Sequence, residues 1–152
     1  MSKPHLTREN ESMFLARIEK LRADSPRKFG TMDTNKMLRH MRNAFETCVG
    51  ETNLPDSSIP VVRRILYFAI CHVMTTWPGG RIKAPDYWSP PTDHPFEEEK
   101  GLFLGAMKRF FDALEAHPGQ VGRHPILGPL TMRQWSRLNG IHLHHHLRQF
   151  GA

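Results

Sequence analysis

The chain has 152 residues, 21 of them basic and 15 acidic, and a formal net charge of +6. This length suits a single domain, 1–152, with one hydrophobic core. No run of about 18 apolar residues occurs, so we expect neither a membrane-spanning helix nor a signal peptide. The basic residues are scattered, which favours a solvated basic surface over nucleic-acid binding. Cys48 and Cys71 form no CxxC pair, and this favours a reducing, cytoplasmic setting without a disulfide.

The first two predicted helices cover residues 8–23 and 34–49. In the first, Phe14, Ile18 and Leu21 recur at helical spacing, and Pro26 follows as a stop. The second begins at Asp33 or Thr34 as a cap, carries an apolar stripe, and ends before glycine 50. Both patterns are typical of amphipathic helices that pack on a core.

The third predicted helix covers residues 60–76 and begins with a proline, which suits a first helical turn. It is apolar around much of its circumference, from Val61 to Val73. Such a helix should be buried or lie at a subunit contact, and we therefore predict a homodimer. A proline-rich loop follows, and we expect residues 78–95 to cover or bind something, as a lid for example.

The last two predicted helices cover residues 96–116 and 132–149. Glutamates stand in the first turn of the former, where the helix dipole favours negative charge. Thr131 and Gln134 have capping-box spacing at the start of the latter. No strand pattern is recognisable, including in the turn-rich segment 117–129. The predicted fold is therefore all-α: a four-helix bundle with an accessory helix and a long proline-rich loop.

The last helix carries the pattern that indicates chemistry. Trp135, Leu138, His142, His146 and Gln149 share one helical face, so two imidazoles interrupt a core-facing seam. Side chains four residues apart lie close enough to hold one ion. His145 lies at the edge of this face and His144 points away from it. The second choice is that His142 and His145, three residues apart, are the two metal ligands on this helix.

Two buried imidazoles need a partner, because burial of an unpaired polar group is costly. A third metal ligand would supply one. His40 lies near the apolar edge of the second helix, and His72 within the third helix is another candidate. Imidazole nitrogen suits zinc, nickel or iron better than magnesium or calcium.

The sequence also resembles a known family, the DinB/YfiT-like superfamily, and within it an uncharacterised branch that ends in an HxxHHLRQFG-type run. The residues that carry the resemblance are 124–131, the tryptophan at 135, the segment 142–151, and Met37 to Met41 in the second helix. The resemblance implies a helical bundle with three histidine ligands. Carried onto this chain, the ligands are His40, His142 and His146.

Characterised members of that superfamily include metal-dependent thiol transferases and a mycothiol-dependent isomerase. The resemblance therefore implies an enzyme with a divalent metal, zinc or nickel, acting on a small molecule such as a low-molecular-weight thiol, or a hydrolase. Three neutral ligands leave a coordination position open for water or substrate. The alternative is a metal-binding bundle or interaction module without catalysis. No general base is evident, and Gln149 is a candidate for orienting a ligand or a histidine.

Overall fold

The computed structural model describes residues 5–74, 77 and 85–152. In this part of the chain there are five α-helices: α1 (Glu11–Ile18), α2 (Thr34–Cys48), α3 (Pro60–Phe68), α4 (Phe96–Ala116) and α5 (Met132–Gln149). Short 3-10 turns, Arg8–Asn10 and Asp86–Trp88, precede α1 and α4. None of these helices is long and apolar enough to cross a lipid bilayer.

The hydrophobic core lies between α2, α4 and α5, which pack on one another. α1 adds Phe14 and Ile18 to it, and Leu21 follows just beyond the helix end. The three apolar positions that the sequence predicted for this segment are thus all buried. The core is also aromatic, since Phe45 lies 5.8 Å from Phe103 and 5.4 Å from Phe110 between ring centroids.

A small two-stranded sheet corrects the prediction of an all-α fold. β1 (Val121–His124) and β2 (Gly128–Thr131) pair in antiparallel fashion, with Val121 opposite Thr131. Each strand has only four residues, too few for an alternating pattern to stand out in a segment rich in glycine and proline. The hairpin leads directly into α5, and the indole nitrogen of Trp135 donates to the backbone oxygen of Gly122 at 3.2 Å.

Two helix ends also differ from the sequence prediction. α1 ends at Ile18, well before Pro26, because the chain turns there: Leu21 N donates to Ile18 O at 3.0 Å. α3 ends at Phe68 and continues as a π-helical turn, Ala69–Val73. Met74, which was predicted to be helical, has an extended backbone, and the last two residues of the predicted third helix, 75–76, lie outside the described residues.

The third helix is exposed. None of the nine residues of α3 is buried, and Val61, Ile65 and Phe68 are 71%, 66% and 58% exposed. The prediction that this helix is buried within the chain is therefore wrong for α3, and it holds only for Ile70 and Cys71 in the π-helical turn that follows. Its other reading, a contact between subunits, remains a prediction.

Candidate metal centre

Three buried histidines converge between α2 and α5. His40 comes from the second turn of α2, and His142 and His146 from the last two turns of α5. Both helices begin with the caps that the sequence predicted. The Asp33 carboxylate accepts from Lys36 N at 2.7 Å, and Thr131 forms a capping box with Gln134. These caps fix where each helix starts and therefore which residues face each other.

The imidazole nitrogens of the cluster lie very close together. His142 Nε2 is 2.9 Å from His40 Nε2 and 3.1 Å from His146 Nε2. One nitrogen from each ring lies within 4.8 Å of the others, and all three side chains are buried. The structure therefore brings together His40, His142 and His146, and leaves out His145 and His72.

The outer nitrogen of His40 is held by the segment before α4. Its Nδ1 lies 2.8 Å from Ser89 Oγ and 3.2 Å from Trp88 O. A carbonyl oxygen can only accept, so Nδ1 carries the proton and donates. Asn43 Nδ2 donates to the same Trp88 oxygen at 3.1 Å, which fixes that segment to α2.

The outer nitrogen of His146 is held by Gln149, one turn further along α5. His146 Nδ1 lies 2.9 Å from Gln149 Oε1. The orientation of this amide follows from its other end, because Gln149 Nε2 donates to Phe29 O at 2.9 Å. His146 Nδ1 therefore carries the proton. Gln149 orients a histidine, one of the two roles that the sequence suggested for it.

The backbone beside Gln149 leaves no space for a side chain. Gly30 has φ +75°, and a Cβ built on it would lie 2.5 Å from Gln149 Nε2. This position therefore requires glycine both for its left-handed backbone and for the close approach of the amide.

These hydrogen bonds leave the inner nitrogens short of protons. His40 and His146 carry theirs on Nδ1, so each presents an Nε2 lone pair to His142 Nε2. One proton on His142 Nε2 can serve one of the two contacts, and in the other the Nε2 lone pair of the neighbour then faces a nitrogen that offers it no proton, which is repulsive. A cation bound by all three nitrogens removes that repulsion, as second-shell partners on the outer nitrogens of metal-bound histidines commonly allow.

Protonation of one of the three imidazoles could also relieve the repulsion, but the pKa values of the histidines do not favour it. Burial lowers the pKa of His40 to about 4 and that of His146 to about 3. Burial also lowers the pKa of His142 well below its ordinary value, and nearby His146 and His40 lower it further. All three imidazoles are therefore neutral near pH 7, which is the form that binds a metal.

The spacing suits a transition metal. Two imidazole nitrogens bound to zinc at roughly 2.0–2.1 Å in tetrahedral geometry are about 3.3 Å apart. The Nε2–Nε2 distances of 2.9 and 3.1 Å from His142 are close to that separation, and all three nitrogens lie within 4.8 Å of one another. The donor set, nitrogen only, suits zinc, nickel or iron rather than magnesium or calcium.

Aromatic side chains pack around the cluster. Trp77 stacks on His142 with centroids 4.4 Å apart and planes at 16°. His145 lies between Trp77 and Phe29, at 6.4 and 5.2 Å. Of the loop predicted as a lid, residues 78–84 lie outside the described part, while 85–95 contribute Trp88 and Ser89. Sequence reasoning did not single out Trp77, Trp88 or Ser89, which lie far from the histidines along the chain.

The neighbouring histidines have other partners. His144 Nδ1 lies 2.9 Å from Arg17, and His72 stacks on Phe68 at 5.1 Å. His124 Nδ1 accepts from the backbone N–H groups of Ile126 and Leu127 at 3.1 and 3.0 Å, which closes the hairpin turn. Burial lowers the pKa of His124 to about 3, so this imidazole stays a neutral structural group.

Comparison with known proteins assigns the chain to a family whose function is unknown. A family model described as "Protein of unknown function (DUF1569)" matches residues 1–152, so the chain belongs to that family. Searches of curated proteins and of solved structures gave no match. The chemistry of the protein must therefore be inferred from the cluster itself.

Proposed function

We propose that this DUF1569 protein is a metal-dependent enzyme, whose His40, His142 and His146 hold one divalent ion through their Nε2 atoms. The ion is zinc or nickel, and the substrate is a small molecule. The observation that carries the proposal is the meeting of the three inner Nε2 atoms, with the outer nitrogens of His40 and His146 already hydrogen bonded.

Three neutral ligands suit catalysis better than a closed structural site. Structural zinc sites usually have four protein ligands, whereas catalytic sites have three and keep a position for water or substrate. A metal there supplies Lewis acidity, which lowers the pKa of a bound water or thiol. No histidine, cysteine or acidic residue joins the three as a fourth ligand among the described residues.

The protein groups around the cluster act by binding and orienting. Ser89 and the backbone of Trp88 hold His40, and Gln149 holds His146, so both rings are fixed before any ligand arrives. Trp77 lies flat on His142 and limits the access of water to that side. This preorganisation reduces the cost of ordering the site when a ligand binds.

The reaction we favour is transfer of a low-molecular-weight thiol, with hydrolysis of a small substrate as the other choice. The resemblance of residues 142–151 and of the second helix to DinB/YfiT-like proteins supports it. We also infer a DinB-like bundle made of α1, α2, α4 and α5 with α3 as the accessory helix. Its support is that the four helices supply buried core residues and α3 supplies none.

The alternative is a metal-binding module without catalysis. One observation favours it: among the described residues, no carboxylate lies in the cluster with the three histidines. A carboxylate that acts as general base would be expected to lie there.

Metal analysis of untagged protein tests the proposal. We expect about one zinc or nickel ion per chain. Removal by a chelator should lower the melting temperature while the helical circular-dichroism signal persists below it, because the core folds without metal and the ion stabilises the native state by mass action. Loss of activity with loss of metal would favour the enzyme over the module. A chain that binds no divalent metal at micromolar concentration would refute both.

A further inference from the structure

A second feature lies beside the metal centre, at the C-terminal end of α5. It is a surface cavity of about 310 Å³ lined by Lys28, Phe29, Arg148, Gly151 and Ala152. Two of the five residues are cationic and one is aromatic. The cavity is large enough for part of a small molecule.

The cavity and the metal centre share a wall. The Phe29 ring lies 5.2 Å from the His145 ring, which lies 5.1 Å from the ring of His146. The backbone oxygen of Phe29 accepts from Gln149, whose other end holds His146. Phe29 and His145 therefore form one continuous wall from the cavity to the ring of His146.

The cavity is electropositive. Lys28 and Arg148 are both exposed, and neither has a carboxylate within 4.0 Å among the described residues. The negative end of the α5 dipole amounts to about half a charge, which does not offset two full positive charges. Arg17, the next cation, is already engaged with the Ala152 oxygen at 2.8 Å and with His144.

Lys28 is placed by its backbone and its stem. Its N–H donates to Gln149 O at 2.7 Å. Its side chain crosses the backbone of Gly151, where φ is +73° and a Cβ would lie 2.7 Å from Lys28 Cε and 2.9 Å from Nζ. The Lys28 ammonium group is thereby directed along the rim of the cavity. It lies beside the C-terminal end of α5, which also carries Arg148.

We propose that the ligand of the metal centre carries an anionic group, a carboxylate or a phosphate, which binds to Lys28 and Arg148. Its metal-binding atom lies at the three histidines, and its skeleton packs on Phe29 and His145. This inference rests on the proposed metal centre and names the class of molecule it takes. Arg148 binds such a group in bidentate geometry, and Lys28 adds a point charge.

Two thiols of equal length test it on cobalt-loaded protein: 6-mercaptohexanoate and 6-mercaptohexanol. Both supply the same donor atom, and thiolate-to-cobalt absorption reports binding without any activity assay. We expect 6-mercaptohexanoate to bind about tenfold more tightly, and Arg148→Gln or Lys28→Gln to remove most of that preference. Arg133→Gln is the matched control, since Arg133 is exposed in the first turn of α5, far from His146.

The result also separates the two proposals. Cobalt binding with equal affinity for both thiols, or a preference that survives in Arg148→Gln and Lys28→Gln, would overturn the anion site and leave the metal centre standing. Cobalt that does not bind, as seen from the absence of its visible absorption bands, would overturn both. A loss of preference in Arg133→Gln equal to that in Arg148→Gln would show a general charge effect and would also count against the site.

Discussion

α5 and α3 depart from the usual amphipathic helix in opposite directions. α5 buries polar side chains in its core-facing seam, namely His142, His146 and Gln149. α3 exposes large apolar side chains and buries none of its nine residues. A buried polar group needs a partner inside the protein, whereas an exposed apolar face gains from a partner outside it. We infer that the residues against the pattern mark binding: three histidines that could hold a metal at α5, and an apolar face that we propose contacts another molecule at α3.

The largest effect should come from His142, which contacts both other nitrogens. His142→Ala removes one of three ligands, and we expect zinc affinity to fall by more than the roughly 10–100-fold that loss of an outer-shell partner costs. Titration against a chromogenic chelator measures this. His144→Ala, on the same helix but bonded to Arg17, should bind as the wild type does. Equal affinity in the two variants would remove the metal site from α5.

The pH dependence of the metal-free protein should follow from the same burial. The pKa values of His40, His124 and His146 are lowered to about 4, 3 and 3. The unfolded chain, with a histidine pKa near 6.5, therefore binds more protons than the folded one below that pH. Stability is complete above about pH 6.5 and falls on acidification towards pH 4, by up to roughly 2 kcal/mol per buried histidine between pH 6.5 and 5.

Thermal melts of the chelated protein at pH 7.5 and pH 5 would measure that loss. His142→Phe removes one buried imidazole, so its melting temperature should depend less steeply on pH. A metal-free wild type whose melting temperature is the same at both pH values would show that the imidazoles are exposed to water in the folded protein, which would contradict the burial described above.

The smallest effect on the metal centre should come from α3. Ile65 is 66% exposed, and Ile65→Glu places a charge in the middle of its apolar face. We expect this variant to be a monomer by light scattering, the wild type to be a homodimer, and zinc affinity to be unchanged. Glu9→Gln, on the 3-10 turn before α1, is a surface control. A wild type that is monomeric at all practical concentrations would contradict the assignment of α3 to a dimer contact.

The helices and the pair of histidines on α5 were within reach of sequence reasoning, because periodicity decides which residues share a face, whereas the choice of His40 over His72 as the third ligand followed from the family resemblance. His142 and His146 stand out as imidazoles in a seam of Trp135 and Leu138. The outer hydrogen bonds were harder to foresee. Trp88 and Ser89 are 48 and 49 residues from His40 along the chain, and no local pattern indicates a contact that depends on how a loop folds back. The hairpin was missed for a related reason, since four-residue strands carry too little pattern.

Gly30 is exposed to solvent. A side chain at this position would nevertheless displace the Nε2 atom of Gln149, and Gln149 is the residue whose amide oxygen holds His146. Positions 30 and 149 are therefore not free to drift independently in evolution. A lineage that loses the glutamine is released from the steric constraint, although the positive φ at position 30 still favours glycine, and one that keeps the glutamine must keep the glycine as well. An alignment of relatives should show this pairing even where neither position is invariant, and chains that break it should be those in which the histidines have been lost.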